Sequence, residues 1–220
     1  MNNISSYVIL EPHIDDFELG ALSFILKNAG AYKNEHTPVA MVSVTTFCTG
    51  RDKNDRSRRF QQRGKTIELL RKRGILVEWR CFPKVGFGVS LDDSKMNDLS
   101  LDDSRINDFC EYINYYIKNN NPKEFIFMFP QEDLHIDHNV INKVGKILAR
   151  RMFNKPVIEY IIWNSKDNPS IIPTNWNIEI NLDENDKDIL IDIGKIYKED
   201  FDKLNNSNYN NKYNLIKYSL

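Results

Sequence analysis

Tyr7-Val8-Ile9-Leu10-Glu11-Pro12-His13-Ile14-Asp15-Asp16-Phe17-Glu18-Leu19-Gly20 passes from an apolar run straight into a histidine and two adjacent aspartates. Residues 7 to 11 read as a buried strand. Phe17, Leu19, Ala21, Leu22, Ile25 and Leu26 then recur at helical spacing over 16 to 29, before Gly30, so the stretch is a strand, loop, helix unit. A second apolar run, Phe125-Ile126-Phe127-Met128-Phe129, ends in Pro130 and precedes Leu134-His135-Ile136-Asp137-His138. Ligands bind beyond the carboxyl ends of strands in parallel α/β sheets. The two His/Asp clusters therefore converge on one crevice if both strands share a sheet.

The rest of the chain supports such a sheet. Val39 to Thr45 is rich in β-branched residues and reads as a strand, Ser57 to Arg73 as a helix stopping at Gly74, and Ile75 to Cys81 as a third strand. A near-duplication, Ser90 to Asp98 and Ser100 to Asp108, is too short for a solenoid. Its first copy reads as a loop and its second as a capped helix start running through Tyr112, Ile113, Tyr116 and Ile117. After a strand at 124–129, the second His cluster opens a helix through Val140, Ile141, Val144, Ile147 and Leu148. Val157 to Ile162 and Trp176 to Ile180 read as strands, and 184–203 as a helix. The Asn- and Tyr-rich tail from Asn205 has low intrinsic order. No linker divides the chain, so 1–220 is expected to be a single domain.

A chain of 220 residues with 41% apolar and 11% aromatic content can bury a substantial core. Its 30 basic and 31 acidic residues nearly cancel, which excludes a global field for nucleic acid. Cys48, Cys81 and Cys110 are odd in number and form no C-x-x-C pattern, so neither a disulfide framework nor a thiolate zinc site is suggested. No secretion signal or membrane-spanning run is evident, and the expectation is a cytoplasmic protein.

Two clusters offering His13, His135 and His138 with Asp15, Asp16 and Asp137 hold more than one catalytic metal needs. The simplest assignment puts His13, Asp16 and His138 on the metal. Asp15 is then the candidate general base, acting on water whose pKa a bound zinc lowers to on the order of 7. His135 is the second catalytic candidate, stabilising an oxyanion and giving a proton to a leaving amine. Asp137 either keeps His135 protonated or orients a ligand histidine. Each half has a plain alternative: the Asp pair as a magnesium site, an N-cap or solvated groups, and the H-x-x-H as a capping or surface feature. Their joint occurrence after two apolar strands favours the metal.

These residues resemble a known family. Pro12 to Gly20 is similar to the P-H-P-D-D-x-E-x-G signature of the LmbE-like (PIG-L) zinc-dependent de-N-acetylases, and His135-Ile136-Asp137-His138 to their H-x-D-H signature. The resemblance implies an α/β, Rossmann-like three-layer fold with a mostly parallel sheet flanked by helices. It covers a core of about 5–203, leaving 204–220 as the tail. It also implies Zn2+ on His13, Asp16 and His138, Asp15 as base, His135 assisting, and removal of acetyl from an N-acetylated amino sugar or its conjugate. The chain departs from the family in three places. Ile14 replaces a proline, Leu22-Ser23 replaces a Gly-Gly pair, and Gln61, Gln62 and Arg63 stand where a supporting glutamate is usual, with Glu68 too far along to replace it.

Arg51, in Thr49-Gly50-Arg51-Asp52, is a candidate substrate anchor alongside Asp137. Arg56 to Arg59 either hold a diphosphate or face water. The acidic repeat lacks the Gly and Glu of a calcium loop, Phe82 to Gly88 either stacks on a sugar or covers the core, and His36 reads as surface. The leading reading is a zinc-dependent deacetylase with a small-molecule N-acetylated sugar or glycoconjugate as partner, no nucleic acid, no membrane span, and a homo-oligomer left open. The others are metal-dependent hydrolysis of another bond and a non-catalytic relative serving as a binding subunit. Iron or cobalt suits the same His/His/Asp donors as zinc.

Overall fold

The computed structural model describes residues 6–31, 39–45, 53–81, 106–107, 110–115, 125–132, 136–151, 157–162, 178–197 and 212–216. β1 (Ser6–Glu11) runs through the loop 12–16 into a π turn (Phe17–Ala21) continuous with α1 (Leu22–Ala31). Next come β2 (Val39–Thr45), α2 (Lys53–Lys72), β3 (Ile75–Cys81), a helical stretch at 110–115, β4 (Ile126–Pro130) and α3 (Ile136–Arg151). β5 (Val157–Tyr160), β6 (Ile178–Glu179), α4 (Glu184–Ile196) and β7 (Lys212–Ile216) complete the order.

One seven-stranded sheet has the order β3-β2-β1-β4-β5-β7-β6, with β1 to β5 parallel and β7 antiparallel to both neighbours. The chain winds outward from β1 to β3, then returns to place β4 against β1. The reversal leaves a crevice above the carboxyl ends of β1 and β4, the switch point where such folds bind ligands.

Tyr7, Val8, Ile9 and Leu10 are all buried because β1 is covered on both faces, which is why its sequence is a continuous apolar run. Tyr7 and Ile9 join one core with Leu22, Phe24, Ile25 and Leu26 of α1, Leu70 of α2 and Ile189, Leu190 and Ile193 of α4. Val8 and Leu10 join the other with Phe127, Phe129 and the α3 residues Ile141, Val144 and Leu148, together with Ile106, Cys110 and Ile113. Each fully buried apolar side chain of this size contributes about 1.5–3 kcal/mol. The architecture is the expected three-layer α/β arrangement.

α2 ends at Lys72, one residue short of the expected Arg73, and the chain leaves it through Gly74, whose φ of 82° suits the left-handed exit from a helix. The helix begins at Lys53 rather than Ser57, one turn earlier than the sequence pattern suggests. Asp183 caps α4 by accepting from the Asp186 N–H at 2.8 Å, and α4 stops at Ile196, earlier than the expected 203.

The largest departure lies in the tail, expected to carry little order. Lys212–Ile216 is instead a sheet strand, with Tyr213 opposite Tyr160 and Ile216 opposite Val157. Composition undervalues it because strand preference depends on neighbours, and β5 offers this segment an edge to pair with.

Candidate metal centre

β1 and β4 are paired neighbours, Tyr7 opposite Ile126 and Ile9 opposite Met128, so the carboxyl ends of both strands open on the same crevice. Loop 12–16 is a tight turn. The Asp16 N–H faces the His13 carbonyl at 3.4 Å, the Leu19 N–H donates to the Asp15 carbonyl at 3.1 Å, and the Asp16 carboxylate accepts from the His13 N–H at 2.7 Å. This folding back brings the His13 and Asp16 side chains together. Gly20 lets the π turn settle on the sheet: a Cβ there would run into the Tyr160 ring and come 2.9 Å from the Ile161 carbonyl. Tyr160 is itself fixed by donating its hydroxyl to the Leu10 carbonyl at 2.5 Å.

His13 Nδ1 lies 3.1 Å from Asp16 Oδ2, and His138 Nε2 lies 3.6 Å from the same oxygen. The two imidazole rings are 5.5 Å apart. One donor atom from each of His13, Asp16 and His138 falls within 4.8 Å of the others. Two ligands about 2.1 Å from a shared tetrahedral cation stand roughly 3.4 Å apart, a spacing the observed pair of distances brackets. Two imidazoles and one carboxylate also match the donor preferences of zinc, iron and cobalt. The residues therefore fit a divalent transition metal.

Asp137, at the first turn of α3 and fully buried, accepts from His13 Nε2 at 2.8 Å. This contact matches one of the two placements the sequence leaves open for Asp137; the other concerns His135, which lies outside the described residues. Burial works to lower the His13 pKa, but the Asp16 and Asp137 carboxylates outweigh it and raise it to about 10. Burial works the other way on Asp16, where the charges on His138 and His13, with the hydrogen bonds from His13, hold the pKa below the usual carboxylate value. A proton on His13 thus balances carboxylates that a bound cation would balance instead.

Asp15 takes a different partner from Asp16, pairing with Arg59 Nη1 at 3.0 Å towards the rim of the crevice. Arg59 belongs to the segment expected to meet either a phosphate or water, and it meets a carboxylate. A second charged cluster lies beneath the turn: Arg63 of α2 pairs with Glu11 and Glu18, all three fully buried. Burial leads in pushing the Glu18 pKa up, while the neighbouring Arg63 guanidinium works to hold it down. Arg63 is one of the three residues standing where the resemblance would place a supporting glutamate, and Glu68 is exposed. The sequence pattern assigns no role to Glu11, Arg63 or Tyr197. One signal is present in it, because a carboxylate closing a strand buried on both faces requires a partner.

His135 and Arg51 lie outside the described residues, as do His36, the loop from Phe82 to Gly88 and most of the acidic repeat. No described helix is long and apolar enough to cross a membrane.

No family model matches the chain, and no curated protein matches it in sequence. Solved structures do match it in fold. The A40926 pseudoaglycone deacetylase superposes with a TM-score of 0.62 at 14% identity, over 99% of this chain and 100% of its own. The zinc-inhibited form of teicoplanin deacetylase gives 0.61 at 13% identity, over 97% and 100%. The 4-carboxy-2-hydroxymuconate hydratase of Pseudomonas putida KT2440 gives 0.53 at 12% identity, over 99% and 100%. At these identities the likeness establishes the fold.

Proposed function

We propose that this chain is an LmbE-like, zinc-dependent deacetylase that removes an acetyl group from an N-acetylated amino sugar or its conjugate. The observation that carries the reading is the convergence of His13, Asp16 and His138, delivered from two adjacent strand ends, with Asp15 next to them. The fold shared with two glycopeptide-antibiotic deacetylases supports it.

A divalent cation held by His13, Asp16 and His138 would polarise the amide carbonyl and make water more acidic. Asp137 orients the His13 ring through Nε2 and so directs Nδ1 toward Asp16. Asp15, held by Arg59 at the rim, takes the proton from the attacking water as its oxygen bonds to the carbonyl carbon. The C–N bond then breaks, the sugar nitrogen receives a proton that we assign to His135, and acetate and a free amine leave. Asp15 and Asp16 share a turn yet face different partners, which separates the base from the ligand. We place Arg51 at the substrate-binding rim.

The test is metal content by mass spectrometry on untagged protein, alongside acetate release from N-acetylated sugars. Wild type should carry about one metal ion per chain, as a three-ligand site of this type does. His138→Ala should lose metal and turnover together. Asp15→Ala should keep the metal and lose acetate release. Retained turnover in Asp15→Ala would remove Asp15 from the base role, and a metal-free wild type would overturn the metal centre. One neighbour is a zinc-inhibited form, so metal is added from below one equivalent upward. The hydratase neighbour supports a second reading, water addition or hydrolysis at another bond, which the same protein assayed on unsaturated acids and phosphoesters would reveal.

A further inference from the structure

The turn that carries His13, Asp15 and Asp16 is gripped from below by a group the proposed reaction does not use. Arg63 Nη2 donates to Glu11 Oε2 at 2.5 Å, to Glu18 Oε2 at 3.0 Å and to the carbonyl oxygen of Ile14. Glu11 Oε2 also accepts from the Phe17 N–H at 3.2 Å, and the buried Tyr197 donates its hydroxyl to Glu18 Oε1 at 2.8 Å. The guanidinium packs over the Phe17 ring, 5.3 Å from its centre, and 5.8 Å from that of Trp79. One cation thus touches the last residue of β1, the carbonyl between His13 and Asp15, and the π turn that follows Asp16.

Ion clusters sealed in a protein interior are a poor source of stability, because desolvation offsets most of their attraction and apolar residues of similar size often do better. What they supply is direction. The Ile14 carbonyl points into the interior and needs a donor. The guanidinium addresses it and both carboxylates through Nη2 while its plane lies against the Phe17 and Trp79 rings, a packing that a compact ammonium does not reproduce. Ile14 lies between the two donors that the turn contributes, so rotating its peptide would move His13 relative to Asp16.

We infer that Arg63, with Glu11 and Glu18, is a positioning residue that fixes the turn at the His13–Asp16 separation a divalent cation requires. This rests on the metal-centre reading above. Removing Arg63 alone strands two buried carboxylates, so the informative variant removes the whole cluster: Glu11→Leu, Glu18→Leu and Arg63→Met together. Cobalt(II) is the probe. Its affinity is measured by competition with a chromophoric chelator, its ligand-field absorption reports the arrangement of ligands, and urea unfolding of the metal-free protein reports the fold.

The expected result is a folded triple variant whose cobalt dissociation constant is at least about tenfold weaker, in the range typical of lost supporting contacts, with an altered absorption spectrum. Arg63→Lys should show a smaller loss in the same direction. A folded triple variant that binds cobalt within about twofold of wild type, with the same spectrum, would reduce the cluster to a packing element and overturn the inference. Should the triple variant fail to fold, Arg63→Lys is judged by the same two readouts. A wild type that binds no cobalt overturns the metal-centre reading and this inference with it, an outcome distinct from equal binding by wild type and variant.

Discussion

Arg59 and Arg63 stand one turn apart on α2, each paired with a carboxylate of the 11–18 segment, yet they work in opposite surroundings. Arg59 meets Asp15 at the rim, with side-chain exposures of 21% and 12%. Arg63 meets Glu11 and Glu18 with 0% exposure on every side chain. The same pairing chemistry is adjustable in one place and fixed in the other. At the rim, the pair keeps partial contact with water. In the interior, neither charge has an alternative, so the helix, the strand end and the π turn are locked to one another. A single helix thereby anchors the turn through Arg63 and meets its rim through Arg59.

The largest effect that would break this comparison is on stability. Arg63→Met leaves two carboxylates buried without their cation and should destabilise the metal-free protein by about 3–5 kcal/mol, read from urea unfolding. A loss below about 1 kcal/mol would mean that the interior pair behaves like an exposed one.

A smaller effect sharpens the comparison on the crevice side. Asp137→Asn keeps a hydrogen-bonding group beside His13 Nε2 but removes the charge, and metal affinity should fall about 10- to 100-fold, by chelator competition. Unchanged affinity would mean that Asp137 serves only to balance the protonated ring in the metal-free protein.

The site is partly legible in the sequence for a definite physical reason. His13, Asp15, Asp16, Asp137 and His138 are chemically conspicuous and each comes after an apolar strand, so the strand pattern alone places them at one sheet edge. Their pairings are not legible. Asp137 reaches His13 across 124 positions, and nothing local indicates that its partner is that ring rather than His135. Arg63 is hidden among the arginines of a strongly polar helix, where only tertiary packing decides which one turns inward. β7 is hidden for the same reason at a larger scale, because its order comes from the edge of β5 rather than from its own residues.

The smallest stability effect is expected at the rim, and it separates holding the fold from holding the base. Arg59→Gln removes a partly exposed ion pair, so the urea midpoint should correspond to a change of less than about 1 kcal/mol. Asp15 nevertheless loses the group that fixes its Oδ1 at 3.0 Å, and a base displaced by even an ångström works much less well. Acetate release should therefore fall about ten- to a hundredfold with metal content unchanged, measured by steady-state kinetics on metal-loaded protein. A variant that loses stability instead, with turnover intact, would show that Arg59 belongs with Arg63 as an anchor, and the division between rim and interior on α2 would disappear.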